Sequence, residues 1–439
     1  MASFTVTTEG FLPDGSSIAH LDGREFHVFG ALPGEEVTVR EISRKKGVVI
    51  AIVESVEQLS PLRIDRREEH YLSCSPWQIL TPLAEAEEKK HILERQFSSR
   101  GIAVPPIDFV PSNALYGYRT KMEYSFADRD APLSLAFHER GGSNHRLRLK
   151  NGCDLGSVGM NAIALAVVDL LRSLDITATQ LKTIVVRESK STGAHLALLY
   201  VKDPTFPAVR VLEGILKLSV PTLSGIRIFH SDKRSPASVP TALLAEWGSD
   251  TLVDHVAGIA IEYSWDAFFQ NNIPMFTEAL TRMREAIPPH THKVVELYSG
   301  AGTIGLALAD LSEEVYGIEI IPSAAENANV NARRNHINNY TAESVSAEEI
   351  TGSLLDDTDV LVLDPPRAGL HPKVITMILT KRPRTILYLA CDPGTQARDI
   401  KVLEAQYRIT SVTGYDFYPR TPHMESLAVL RLRGEDPVL

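Results

Sequence analysis

The stretch Glu296-Leu-Tyr-Ser-Gly-Ala-Gly-Thr-Ile-Gly305 constrains the fold of this chain more than any other part of it. The apolar run Val294-Val-Glu-Leu-Tyr298 ends in glycines spaced G-x-G-x-x-G, a pattern that turns a strand tightly into a helix and lets backbone approach a ligand. Further apolar runs follow at Val315-Tyr-Gly-Ile-Glu319, Val360-Leu-Val-Leu363 and Thr385-Ile-Leu-Tyr-Leu389, with helix-forming stretches between them. Strands alternating with helices predict a doubly wound, Rossmann-like α/β domain over residues 266–439. Ligands bind such sheets at the carboxyl ends of the strands. The residues that end these runs are therefore the candidates for chemistry.

A chain of 439 residues has room for two or three domains at roughly 100–200 residues each. Residues 4–56 alternate apolar and polar positions in short runs punctuated by Pro13-Asp-Gly15, Asp22-Gly23, Pro33-Gly34 and Lys46-Gly47. That spacing predicts a small, OB-like β-barrel over residues 1–60. Thr81-Pro82 opens and Gly101 closes a predicted helix over 81–100. Strand-like runs at Thr183–Arg187 and Leu196–Tyr200 and a helical stretch at Met160–Leu174 mark an α/β middle domain, assigned to 61–265. Helix 81–100 falls in that interval and is also a candidate to pack on the C-terminal domain.

No apolar run approaches the ~20 residues that span a bilayer, and the N-terminus has neither a basic start nor an apolar core, so a cytoplasmic protein is expected. Three cysteines, Cys74, Cys153 and Cys391, do not make a disulfide framework, which leaves thiols free for chemistry. The formal net charge of −10 argues against nucleic acid as a partner unless basic residues are gathered locally. Between Arg40 and Arg67, seven basic residues face four acidic ones, a candidate RNA grip that competes with a plain solvated face.

A dinucleotide site calls for an acidic residue about 20 positions beyond the glycines. Glu319 follows Gly305 by only fourteen, a spacing that suits a carboxylate on the ribose of S-adenosylmethionine. Gly300 and Gly302 would then border the cofactor. In Asp364-Pro-Pro-Arg367 two prolines stiffen the turn and hold Asp364 at a strand end. Cys391, just past Thr385–Leu389, is the side chain best suited to attack carbon 6 of a pyrimidine, because a thiol is nucleophilic near neutral pH. Such an adduct makes carbon 5 reactive and needs a base to remove its proton. Glu425 and His423, in Pro422-His-Met-Glu425, both qualify on residue chemistry.

Together these motifs resemble the RNA uracil-5 methyltransferase family, in particular the 23S rRNA type with an N-terminal TRAM barrel. The resemblance covers nearly the whole chain. It implies a monomeric, S-adenosylmethionine-dependent enzyme that makes 5-methyluridine, with Cys391 as nucleophile, Glu425 rather than His423 as base, and Asp364 in the catalytic set. It also implies cofactor contacts from Gln270 of Phe268-Phe-Gln-Asn-Asn272, Tyr298, Thr303, Glu319, Asp364 and Ser344. Gly117-Tyr-Arg-Thr-Lys-Met122, and Asp14-Gly15 with Ile18-Ala19, are similar to its middle-domain and barrel signatures. The target base must be flipped into the site, and Phe269 and Tyr418 are candidates to hold it. Transfer RNA, a cytosine target, a non-catalytic RNA-binding assembly factor and an NAD-dependent oxidoreductase are the competing readings.

The chain departs from the family pattern twice. Many relatives bind an iron–sulfur cluster on C-x5-C-x2-C plus a distant cysteine, whereas Cys74 and Cys153 stand here with Glu68 and Trp77 at the other two positions. Two thiolates do not replace four, so neither a cluster nor any other metal is expected. Asp392 follows Cys391 where relatives carry asparagine, and a carboxylate turned inward there would suppress the thiolate. Anaerobically purified protein is expected to fall far short of the about four irons of a [4Fe–4S] centre, as measured by iron and sulfide analysis.

Overall fold

The structure, a computed structural model, describes residues 3–140, 145–232, 234–235, 238–350 and 352–434. Strands Ser3–Phe11, Ser17–Leu21, Arg24–Phe29, Glu36–Lys45 and Val48–Gln58 close into a barrel. Their alternation sends Val6, Phe26, Val28, Val37 and Val39 inward to fill it. The turn between the first two strands points away from the barrel and onto the C-terminal domain. A Cβ on Gly15 would lie 2.8 Å from Pro422 Cγ, so only glycine admits this contact, and Trp77 Nε1 donates to Gly15 O at 3.2 Å.

The C-terminal sheet has eight strands in the spatial order Tyr340–Ser344, Ser312–Glu319, Thr291–Leu297, Val360–Leu363, Thr385–Ala390, Glu425–Leu432, Tyr407–Tyr415 and Asp108–Val110. The first five are parallel, and Glu425–Leu432 runs antiparallel to both of its neighbours. Chain order reverses between Thr291–Leu297 and Val360–Leu363. A crevice opens at such a switch point, beyond the carboxyl ends of the strands.

The middle sheet has seven strands, from Lys121–Ala127 through Ala242–Gly248, with helices Val158–Ser173 and Ala208–Lys217 packed against it. Three pieces of the interval 61–265 lie instead with the C-terminal sheet. Helix Pro82–Ser98 buries Ile92, Leu93 and Phe97 in the core that holds Leu403, Tyr407 and Val412, and Asp108–Val110 adds an edge strand beside Tyr407–Tyr415. The hairpin of Thr251–Val256 and Ile259–Ser264 likewise shares a core with Phe276, Ala328 and Tyr340. Periodicity reveals such elements as helix or strand but carries no information about which core they join.

Helix Pro82–Ser98 is fixed by a buried quartet of charges. Lys89 Nζ donates to Glu85 Oε1 at 2.8 Å and to Asp416 Oδ1 at 2.5 Å. Arg420 donates through its backbone N and its NH1 to Glu85 at 2.6 and 2.9 Å, and through NH2 to Gln78 O and Leu80 O. Two cations and two anions cancel, and loop 416–425 is thereby anchored to the helix. No helix among the described residues is long and apolar enough to cross a membrane.

Replacing Lys89 with methionine would leave Glu85 and Asp416 buried without their shared cation, and breaking a buried pair in this way costs about 3–5 kcal/mol. Lys89→Met is therefore expected to lower the thermal midpoint of the C-terminal domain clearly, read by differential scanning calorimetry against the wild type.

Candidate active site

The first strand of the C-terminal sheet ends at Leu297, and the chain then turns through Tyr298, which adopts φ = +65°. A non-glycine residue is strained there, and such strain persists only where surrounding contacts enforce it. Ser299 N donates to Ile318 O at 3.0 Å and Gly302 N to Ser299 O at 2.8 Å, closing the turn before helix Thr303–Leu308. Glu319 Oε2 accepts from Gly300 N at 2.9 Å and its Oε1 from Ile321 N at 2.8 Å. The carboxylate thus holds the glycine turn while keeping lone pairs for a ligand.

The turn borders a cleft lined by Phe268, Gln270, Glu296, Tyr298, Gly300, Thr303 and Asp364 among others. Five residues expected from sequence to contact a cofactor therefore meet on one surface, with Glu319 and Gly302 completing the same turn. Ser344 does not line the cleft. It is exposed at the end of Tyr340–Ser344, in register with Glu319.

Two buried polar atoms in the cleft, Gln270 Oε1 and Ser299 Oγ, have no partner within the protein. Groups of this kind are normally hydrogen-bonded, so they fit a polar ligand such as S-adenosylmethionine. Burial pushes Asp364 up to about 7. It pushes Glu296 up to about 8, with Asp364 and Glu319 adding repulsion against the pull of the Gly305 N–H. A cation entering the cleft would favour their ionised forms, and a sulfonium is such a cation.

Glu296 was not legible as a site residue because it reads as one polar position in an apolar strand. Its Oε2 accepts from Gly305 N at 2.9 Å, and a Cβ on Gly305 would stand 2.6 Å from that oxygen. The third glycine is therefore required by close approach to Glu296.

Cys391 and Glu425 are brought together by strand register. In the antiparallel pair of Thr385–Ala390 and Glu425–Leu432, Leu389 lies opposite Leu427 and Ala390 opposite Ser426. Cys391 follows Ala390 and Glu425 precedes Ser426, so the two stand at the same end of the pair, where the charges of Glu425 and Asp364 act on the thiol. Gln396 is fully buried and donates to Tyr388 O at 2.8 Å and to Ser426 O at 2.9 Å, bracing both strands just behind the two residues.

Glu425 is 2 % exposed. Burial and the charge of Asp364 raise its pKa well above the carboxylate range, against the hydrogen bond that Tyr418 Oη donates at 3.3 Å. Its Oε2 is buried without a partner, facing no competitor for a proton. His423 is more open to solvent, yet desolvation and the cations Arg367, Lys89, Arg119 and Arg140 push it down to about 4. It is a weaker base than Glu425 throughout the neutral range.

Burial pushes the Cys391 thiol up to about 12, with Glu425, Asp364 and Asp392 raising it and Arg367 lowering it. Asp392 is turned away from the thiol: it caps helix Pro393–Leu403, its Oδ1 accepting from Gly394 N at 2.8 Å and Thr395 N at 3.0 Å. Its carboxylate is thereby occupied by a helix N-terminus.

The family-like signature at 117–122 ties this site to the middle domain. Tyr118 Oη donates to Pro419 O at 3.2 Å, and Thr120 Oγ1 donates to Gln270 O at 3.0 Å. One segment therefore holds both the loop before Glu425 and the cofactor-side residue Gln270. Of the aromatic candidates, Phe269 is stacked on Tyr263 at 3.9 Å and mostly buried, whereas Phe268 stands exposed at the cleft.

Residues 250–433 match the family model of tRNA (Uracil-5-)-methyltransferase. This segment is similar to that family. Over its full length the chain is similar to uncharacterized RNA methyltransferases of Halalkalibacterium halodurans, 28% identical over 98% of this chain and 96% of the relative, and of Lactobacillus johnsonii, 27% identical over 95% of each. The crystal structure of Pyrococcus abyssi tRNA (uracil-54, C5)-methyltransferase with S-adenosyl-L-homocysteine superposes with a TM-score of 0.78, at 24% identity, over 97% of this chain and 100% of that one. The fold expected from sequence, an α/β methyltransferase with a small N-terminal barrel, is the fold found. The Pyrococcus abyssi structure contains S-adenosyl-L-homocysteine, the demethylated form of the cofactor expected from the sequence.

A thiol raised to about 12 ionises tenfold more for each pH unit across the neutral range. Alkylation of Cys391 by iodoacetamide, followed by mass spectrometry of its peptide, is expected to accelerate about tenfold per unit from pH 7 to 10 without levelling. Arg367→Ala, which removes the one cation that lowers this thiol, should slow labelling further.

Proposed function

We propose that this chain methylates carbon 5 of a uridine in RNA, with Cys391 adding to carbon 6 and Glu425 removing the carbon-5 proton. The observation that carries this reading is that Cys391 and Glu425 flank the same end of one strand pair, where the charges of Glu425 and Asp364 both act on the thiol. A covalent mechanism needs a nucleophile on one ring carbon and a base serving its neighbour.

When bound, S-adenosylmethionine supplies a methyl group made electrophilic by its positively charged sulfur. Gln270, Tyr298, Gly300, Gly302, Thr303, Glu319 and Asp364 are the residues that would hold it, with Ser344 at the margin. Cys391 Sγ, once deprotonated, gives an electron pair to carbon 6, forming the Sγ–C6 bond and moving charge onto carbon 5. Arg367 offsets the negative charge that the thiolate brings to an acidic site. After carbon 5 has gained its methyl, Glu425 Oε2 takes the carbon-5 proton, the C5–C6 double bond returns and the Sγ–C6 bond breaks. Burial of Glu425 makes it a stronger base than an ordinary carboxylate.

The local cations Arg367, Arg119 and Arg140 around His423 support RNA as the substrate despite the net charge of −10. Ribosomal RNA of the 23S type is the first reading, following the barrel that marks the ribosomal branch. Transfer RNA is the second, because the Pyrococcus abyssi enzyme, named for a tRNA uracil, is matched along its whole length, barrel included. A non-catalytic assembly factor would have no use for this thiol and carboxylate together. The enzyme is expected to work as a monomer in the cytoplasm.

Methyl transfer from labelled S-adenosylmethionine to unmodified rRNA and tRNA, followed by nucleoside analysis, tests this directly. Label is expected in 5-methyluridine and absent with Cys391→Ala. Glu425→Gln should accumulate a denaturation-resistant protein–RNA adduct that carries the methyl, since elimination requires loss of the carbon-5 proton. Label in tRNA alone would reassign the substrate, and cofactor binding without label in either RNA would overturn the reading.

A further inference from the structure

The segment that joins the barrel to helix Pro82–Ser98 contains a second cluster of reactive side chains. A one-turn helix, Tyr71–Cys74, places His70 and Cys74 four residues apart on one side, and Glu68 precedes them. Cys153 enters from the middle domain, beyond strand Arg146–Arg148. One ligand atom from each of Glu68, His70, Cys74 and Cys153 lies within 4.8 Å of all the others. Cys153 is 1 % exposed, and the Glu68 and His70 side chains are 9 % and 11 % exposed.

The cluster is held from outside as well. Glu68 Oε2 accepts from Gln78 Nε2 at 2.8 Å and its Oε1 from Asp154 N at 2.7 Å. Cys153 N donates to Asn161 Oδ1 at 2.9 Å, and Cys74 Sγ lies 3.0 Å from Ser75 Oγ. His70 Nε2 is buried and 3.1 Å from Glu68 Oε1, yet makes no hydrogen bond of acceptable geometry. An unpartnered nitrogen facing two thiols and a carboxylate has the donor arrangement of a metal site, with outer partners already orienting the donors.

The donor set decides which metal. A four-iron cluster takes four thiolates, and the third cysteine position of the linker is filled by Trp77, which is buried against Phe11 and Gly15 O. Calcium and magnesium favour oxygen donors. Two thiolates, an imidazole and a carboxylate suit zinc, whose bonds of about 2.0–2.3 Å put neighbouring donors of a tetrahedron roughly 3.3–3.8 Å apart. From a widest separation within 4.8 Å, the donors would need to close by about 1.5 Å at most to reach that spacing.

We propose that Glu68, His70, Cys74 and Cys153 form a closed, structural zinc site, in departure from the absence of metal expected from the sequence. All four positions are protein donors, so the ion has no open place for a substrate. Its role is to staple the linker to the middle domain. The linker continues directly into Trp77, whose backbone N donates to Arg420 O at 3.0 Å, and Gln78 and Leu80, whose carbonyls receive Arg420 NH2. Zinc would thus hold in place the strap that supports the barrel turn and loop 416–425.

Elemental analysis of the full-length protein, purified without chelator, is expected to find about one zinc per chain. Cys74→Ser with Cys153→Ser should lose it, and Cys391→Ser should retain it. Cobalt added to metal-stripped wild-type protein should give thiolate-to-cobalt charge-transfer absorption that saturates at about one equivalent and is bleached by zinc. His70→Ala should retain the charge-transfer absorption but lose the tetrahedral d–d signature. Wild-type protein that carries no more zinc than the double variant and gives no charge-transfer absorption would overturn the site. Iron with matching sulfide would overturn it in favour of a cluster. If the double variant fails to fold, the cobalt titration of the wild type decides alone.

Discussion

The antiparallel insertion of Glu425–Leu432 beside Thr385–Ala390 is the constraint on which the catalytic geometry depends. Side chains of a strand alternate faces with a period of two, so a slip of one residue would carry every side chain to the other face. Leu427 and Val429 belong to one core of the sheet and Ala428 and Leu430 to the other. Slippage is opposed by both cores at once. The position of Glu425 relative to Cys391 is therefore enforced by the burial of residues that take no part in chemistry.

What register sets along the strand, loop 416–425 sets in depth. The loop has little regular structure of its own and is held by charges and carbonyls supplied from elsewhere. Lys89, Glu85 and Arg420 tie it to helix Pro82–Ser98, Tyr118 ties it to the middle domain, and Pro422 rests against Gly15 of the barrel. All three parts of the molecule therefore meet at the few residues before Glu425. A buried set of charges is a poor source of net stability but a strong source of geometric uniqueness when every member is paired.

The parts of this arrangement that were legible in the sequence are those written locally. The glycine turn, the four parallel strands, the barrel and helix Pro82–Ser98 each announce themselves within a dozen residues through apolar period and turn chemistry. Gln270, Tyr298 and Thr303 needed a resemblance to be singled out, because nothing in their own neighbourhoods marks a ligand contact. Glu296 was masked by the apolar strand around it. Lys89 and Asp416 are 327 positions apart, and no periodicity in one sequence links them. His70 was passed over because a four-cysteine template directs attention to Trp77, while the structure converges on the residue two positions after Glu68. Asp392 presented another case, a carboxylate that still raises the thiol, as expected, but whose Oδ1 is taken up by two backbone donors of a helix N-terminus.

The split origin of the C-terminal core has a consequence for how the chain is made. Synthesis runs from the N-terminus, and domains generally fold as units as they emerge. Helix Pro82–Ser98 leaves the ribosome with Ile92, Leu93 and Phe97 still awaiting Leu403, Tyr407 and Val412. Lys89 and Glu85 wait just as long for Asp416 and Arg420. The barrel and the middle sheet can close early, each around its own core, but the helix must remain uncommitted, with an apolar face and half of its charge quartet, until residues 403–420 have been added. Completion of the C-terminal core thus waits for residues 403–412, and a nascent chain that stalls before them presents a sticky surface.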